Sequence, residues 1–202
     1  MGSPSSSTRV KLLDAALDLL AEEGLQALSH RTVEKRAGAS HGSTTYYFRT
    51  REALLAALLQ HTAERDRQLI DGLFNGADLT VLDAAATRDL AAAGLAALLG
   101  DPHRRLAYYE LFLYAARRAE LQPELARWRE MFVRIAEATL LGMGVAEPAA
   151  TGRLLIATVD GIVLHLLSTP DEAMLAAAPD YLMTVLGALV APRPTGGQSA
   201  DR

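Results

Sequence analysis

The sequence predicts an all-α fold: an N-terminal three-helix head, a long connecting helix and a C-terminal helical body. Three observations carry this. Ala and Leu dominate a chain of 202 residues of which half are apolar, and β-branched residues are few, a composition that favours helix. Apolar residues recur at three- and four-residue spacing along most of the chain. Gly and Pro fall mainly at the joints between these periodic segments.

Residues 1–7 are small and polar and are expected to be disordered, as are the Pro/Gly/Ser-rich residues 192–202. A first helix is expected over residues 8–23, where Leu13, Ala16, Leu17, Leu20 and Ala21 form one stripe and Gly24 ends it. Ser29 is placed to cap a second helix, with Val33 and Ala37 on one face and Gly38 at the left-handed end. Ser40 is expected to cap a third helix at once, over residues 41–47. Thr50 suits the cap of a fourth, packed through Leu54, Leu55, Leu58 and Leu59 and running toward residue 73. Asn75-Gly76-Ala77-Asp78 reads as a turn and as the boundary between a head, residues 8–67, and a body, residues 75–191. The body reads as helices over residues 79–99, 103–120, 123–143, 148–168 and 179–190, with Pro148 and Pro179 in first turns.

A helix, a tight glycine turn and a second short helix make a helix-turn-helix. The expected third helix carries His41, Gly42, Ser43, Thr44, Thr45, Tyr46 and Tyr47, small or hydroxyl-bearing residues with no acid among them. Hydroxyls and imidazole can donate to phosphates or read base edges, and a threonine methyl can meet the thymine methyl. Gly42 inside a helix costs roughly 1 kcal/mol relative to Ala, which close approach to a DNA backbone would explain. Between Arg31 and Arg51, five cations (Arg31, Lys35, Arg36, Arg49 and Arg51) stand against one acid, Glu34. The same residues also suit an ordinary solvated helix pair.

From about Thr8 to about His61 the chain resembles the tetracycline-repressor (TetR) family of bacterial transcription regulators. The run from Ala37, Gly38, Ala39, Ser40, His41, Gly42 and Ser43 through Tyr46, Phe48, Glu52 and Leu54 keeps the family spacing without gaps. The chain departs from the pattern at Thr44 (usually Leu), Thr45 (usually Tyr), Tyr47 (usually His) and Arg51 (usually Lys). The resemblance implies a one-component regulator, a repressor in the main reading, that binds a pseudo-palindromic double-stranded operator as a homodimer. Ser40, His41, Gly42, Ser43, Thr44, Thr45 and Tyr46 would lie at bases or phosphates, and Arg31, Tyr47, Arg49 and Arg51 would hold the DNA backbone. A small-molecule effector in the body would release the operator. The alternative is a helical small-molecule-binding protein that has lost sequence-specific DNA binding, for which the Thr44 and Thr45 departures speak.

Residues 154–167 are apolar nearly all round, so this helix is buried on most sides, within one subunit or against a second copy. The resemblance implies the second copy, with a homodimer contact through residues 154–168 and 179–190. Tyr108, Tyr109, Phe112, Trp128, Met131 and Phe132 fall on two successive body helices, either as plain core or as the lining of an apolar cavity. His165 reads as a partly buried histidine, with ligand contact as the alternative. Arg104, Arg105, Arg117 and Arg118 read as solvated faces.

Other classes find no support. There is no cysteine, which excludes disulfides and thiolate chemistry. No glycine-rich phosphate loop, Gly-x-Ser-x-Gly elbow or His-Glu-x-x-His occurs, and the five histidines lack metal-ligand spacing, so neither enzyme activity nor a cofactor is expected. The net charge of −4 argues against a general nucleic-acid coat protein but not against a local basic surface. Met1-Gly2-Ser3-Pro4-Ser5-Ser6 fits the loose N-myristoylation pattern, which is short enough to arise by chance. The longest apolar run is read near residues 90–100, short of a membrane span, so a cytoplasmic protein is expected.

Overall fold

In the head, α1 (Pro4–Glu23) packs on both α2 (His30–Ala37) and α4 (Arg51–Phe74), and the short α3 (Ser43–Tyr47) packs on α2. The structure is a computed structural model that describes residues 4–74 and 83–190. The body holds α5 (Ala84–Leu99), α6 (Pro102–Ala116), α7 (Gln122–Gly142), α8 (Pro148–Ser168) and α9 (Glu172–Val190). A single 3-10 turn, Leu25–Ala27, joins α1 to α2, and no strand occurs among the described residues. The expected boundary turn and the residue 192–202 tail lie outside the described residues.

Local signals set most boundaries. The Ser29 hydroxyl accepts the Thr32 N–H while the Thr32 hydroxyl takes the Ser29 N–H, a reciprocal capping box. Gly38 closes α2 at φ 61°, in the left-handed region. The Thr50 hydroxyl accepts the Ala53 N–H at the start of α4. Asp83 and Asp101 cap α5 and α6. Pro102, Pro123 and Pro148 stand in first turns, where the missing N–H costs nothing.

Several boundaries differ from expectation, among them the start of α5, which Asp83 places at Ala84 and not at residue 79, and that of α3, at Ser43 and not at residue 41. Residues 4–7 extend α1 rather than forming a disordered tail. Helix α6 ends at Ala116, short of residue 120. Helix α9 begins seven residues before Pro179, which is buried inside it. Asp171 supplies the true start, its carboxylate accepting the Met174 N–H at 2.9 Å.

Two cores follow. Leu12, Leu13, Leu17 and Leu20 of α1 and Leu54, Leu55, Leu58 and Leu59 of α4 are almost fully buried in the head. That core runs on through Tyr108, Leu111 and Ala115 of α6 to Trp128 and Phe132 of α7, so head and body share one continuous interior. A second core gathers Leu95, Ile162, Val163, Leu166, Ala178 and Leu182 from α5, α8 and α9. Helix α8 packs tightly on α7, where a Cβ at Gly152 would meet that of Ala136 at 3.3 Å.

Helix α8 also corrects the expectation on apolar length. It is the one described helix long and apolar enough to cross a bilayer by those criteria. It packs against α7 and α9 through Thr151, Gly152, Ile162, Val163 and Leu166, while Leu154 and Leu164 face outward.

Candidate nucleic-acid interface and effector cavity

The short helix α3 is set on α2 by a residue that charge counting treats as a liability. Gly42 precedes α3 at φ 84° and offers no side chain to cap it. Glu34 of α2 fills that role from below. It is buried, and its carboxylate accepts the Thr44 N–H at 2.9 Å and lies 3.5 Å from His41 Nδ1. The Thr44 bond holds the Glu34 carboxyl below its ordinary range, against the opposing effect of burial. Sequence reasoning missed this role, because an acid ten residues from its partner carries no local signature.

Several expected DNA contacts lie on the open face. Ser40, His41, Gly42, Thr45 and Tyr46 are exposed, Tyr46 at 79%. Ser43 is half-buried, and its hydroxyl pairs with that of Ser40 at 2.9 Å, so Ser40 does not cap α3 as expected. Tyr47 is half-buried, edge-on to Tyr46 with ring centroids 5.0 Å apart. Arg31, Lys35 and Arg49 are exposed and, among the described residues, have no ion pair.

Four expectations fail here. Thr44 is fully buried and cannot reach a base; its position is a core slot under α3. Gly42 lies outside the helix, and its left-handed backbone explains the glycine without DNA. Arg51 points inward instead of at a phosphate. It donates to the Tyr114 hydroxyl at 2.6 Å, the Leu25 carbonyl at 3.1 Å and, more weakly, the Leu28 carbonyl at 3.4 Å. Arg36 is spent on Glu22, in a bidentate pair at 2.8 and 2.6 Å. Of the five cations of this stretch, three (Arg31, Lys35 and Arg49) are exposed and, among the described residues, in no ion pair.

An apolar cavity of about 250 Å³, partly open to solvent, lies between α4, α5, α7, α8 and α9. Trp128 and Phe132, which also belong to the core, line it. Tyr108, Tyr109, Phe112, Met131 and His165 do not. Tyr108 is buried in the shared core, Phe112 and Met131 pack against that core, and His165 is exposed on α8. Leu, Ala and Gly of α5, α8 and α9 supply much of the remaining wall, and such residues carry no mark of a site in sequence. Phe112, Trp128 and Phe132 stack in succession, with centroids 4.1 and 4.7 Å apart.

Polar groups in this wall are few. Asp160 of α8 faces the cavity and, among the described residues, forms no ion pair; the Tyr109 hydroxyl donates to its carboxylate at 3.3 Å, and Arg105 and Arg129 act on it from farther off. Burial pushes the Asp160 carboxyl and the Tyr109 hydroxyl up. Arg105 of α6 also reaches the wall and is not a solvated side chain. It holds buried Asp66 of α4 at 2.9 and 3.3 Å, and burial still pushes the Asp66 carboxyl up. Among the described residues, no group of three or more His, Asp or Glu is placed to hold a metal.

A helix-turn-helix head fused to a cavity-bearing helical body defines a ligand-responsive DNA-binding regulator. A family model for bacterial regulatory proteins of the tetR family matches residues 12–58, and one for the tetracyclin repressor-like C-terminal domain matches residues 82–192. The chain belongs to the TetR family, whose members are DNA-binding regulators and not enzymes. The multidrug binding protein EbrR, solved with ethidium, is 31% identical, with 92% of this chain and 99% of that one aligned at a TM-score of 0.72. A TetR-family member from Streptomyces coelicolor A3, SCO1917, is 31% identical over 92% of this chain and 99% of that one, with a TM-score of 0.70. The HTH-type transcriptional regulator YvdT of Bacillus subtilis is 31% identical over 85 residues, 41% of this chain and 44% of that protein. The match thus spans less than half of that curated relative.

Proposed function

We propose that this chain is a cytoplasmic repressor that binds a pseudo-palindromic operator as a homodimer and lets it go when an apolar aromatic cation enters the body. The observation that carries the effector class is Asp160. A half-buried carboxylate in an apolar wall, hydrogen-bonded by a tyrosine hydroxyl and, among the described residues, in no ion pair, gains from a positive partner. Structures of EbrR with ethidium, malachite green and proflavin, all aromatic cations, support this class.

Ser40, His41, Thr45 and Tyr46 read bases or phosphates, and Arg31, Lys35 and Arg49 hold the backbone. Two recognition helices in one dimer would enter major grooves roughly 34–36 Å apart, or a multiple of that. The outward apolar side chains Leu154 and Leu164 of α8 and Leu175 and Tyr181 of α9 support pairing with a second copy. Thr44 occupies a core slot, so its departure from the family pattern no longer speaks for a chain that has lost DNA binding.

Selection from a random duplex pool, followed by a salt titration of the winning site, tests the DNA reading. A palindrome bound with a steep salt slope supports it; only weak sticking to any duplex overturns it. Ethidium should release the selected site, and Asp160→Asn should weaken ethidium binding by about tenfold, or about 1.4 kcal/mol. Equal ethidium affinity in the variant sinks the cation assignment.

A further inference from the structure

Arg117 and Arg118 stand in the turn between α6 and α7, and among the described residues neither forms an ion pair. Packing brings this turn to one particular end of the head. Arg105, near the start of α6, meets Asp66 far along α4, while Tyr114, near the end of α6, meets Arg51, the first residue of α4. The two helices therefore run antiparallel, and α6 ends where α4 begins. Beyond the turn, Gln60 of α4 donates to Glu124 in the first turn of α7 at 3.0 Å. Glu110 of α6 takes the Leu25 N–H at 3.0 Å, close before the start of α2. The exposed cations Arg31 and Arg49 belong to these same starts of α2 and α4.

Tyr114 gathers charge at this place. Its hydroxyl accepts from Arg51 at 2.6 Å, and its ring centre lies 5.3 Å from the Arg51 guanidinium and 3.7 Å from that of Arg118. Two cations thus share one neutral ring, and among the described residues no carboxylate pairs with either. Arg118 is half-buried in this stack and is not a plain solvated side chain, whereas Arg117 is exposed beside it. The turn also holds one exposed acid, Glu120, which leaves the arginines in excess. Neighbouring like charges gain when an anion joins them, and the planar guanidinium fork fits phosphate oxygens.

We propose that Arg117 and Arg118 make a second contact with DNA, from the body rather than the head, on backbone phosphates flanking the bases that α3 reads; this rests on reading the head as operator-binding. Arg51 builds the contact without touching DNA, because it holds Tyr114 and Tyr114 carries Arg118. The phosphate-facing cation that the inward Arg51 does not supply thus comes from the α6–α7 turn.

Salt titration of the duplex selected by the wild-type protein reads this contact, and hydroxyl-radical footprinting locates it. Arg117→Ala combined with Arg118→Ala should lower the slope of log affinity against log salt by about two per protomer. It should also remove protection of the flanking phosphates while the central protection stays. Arg117→Ala alone, at an exposed residue where folding is not at risk, should lower the slope by about one per protomer. Arg118→Lys keeps the charge without the planar stack and should restore the slope, which a purely structural role for the stack would not. A folded double variant with the wild-type slope and footprint overturns the proposal and leaves operator binding by the head intact. A wild-type protein that selects no duplex fails both readings.

Discussion

Replacing Arg51 by Met separates a structural role from a DNA contact. Methionine keeps the apolar stem and removes the guanidinium. The structure gives that group one short bond to the Tyr114 hydroxyl at 2.6 Å, one of ordinary length to the Leu25 carbonyl at 3.1 Å, and a marginal one to Leu28 at 3.4 Å. Charge-assisted bonds contribute about 1.5–3 kcal/mol each, and the marginal bond contributes little. The site is half-buried, so water can reach part of what is vacated. The expected loss is about 2–4 kcal/mol of unfolding free energy, toward the lower end where water replaces the lost donors. Urea unfolding measures it, followed by DNA binding across salt at a temperature where the variant is folded. The salt slope should match the wild type, since this cation does not face phosphate. Unchanged stability together with a slope lower by about one per protomer would refute the inward assignment.

Three further outcomes follow from the same geometry. Glu34→Gln should weaken protection of the Thr44 amide against hydrogen exchange at neutral pH. In the wild type, the folded-state carboxyl lies below its usual 4.5, so its contribution is complete above that pH and is lost as pH falls through the lowered value; the variant should show no such fall. Gly42→Ala should destabilise the head by about 1–2 kcal/mol, because φ 84° is left-handed while the space for a methyl is open; unchanged thermal unfolding with lost DNA affinity would instead point to close DNA approach. The double variant Arg31→Ala, Arg49→Ala should lower the salt slope by about two per protomer and weaken all DNA sequences alike, whereas a loss confined to one operator base would contradict the backbone role.

What could be read directly from the sequence was local. Ser29, Gly38, Thr50 and Pro148 act on backbone groups within a few residues, so their meaning survives without a fold. The i, i+4 leucines of α1 and α4 mark a face that must be buried whatever covers it. The head motif was legible for the same reason, as was its place in the TetR family. Pro179 misled because a first-turn proline and an interior one look alike, and the cap at Asp171 was overlooked.

Tertiary structure decided which side chains serve DNA and which serve the protein. Arg51 meets Tyr114 63 residues away, and Glu110 takes the Leu25 N–H across 85 residues, distances over which no spacing rule reports. Thr44 and Thr45 are neighbours of the same type, yet one is fully buried and the other exposed, because the rotation of α3 about Glu34 sets which faces out. Most of the cavity wall escaped for a related reason: much of it is ordinary Leu and Ala of α5, α8 and α9, and only their convergence in space makes them a site. Composition and periodicity determine that helices form and which face each must bury; the partner that covers each face, and the hollow left where none fits, are set by long-range packing alone.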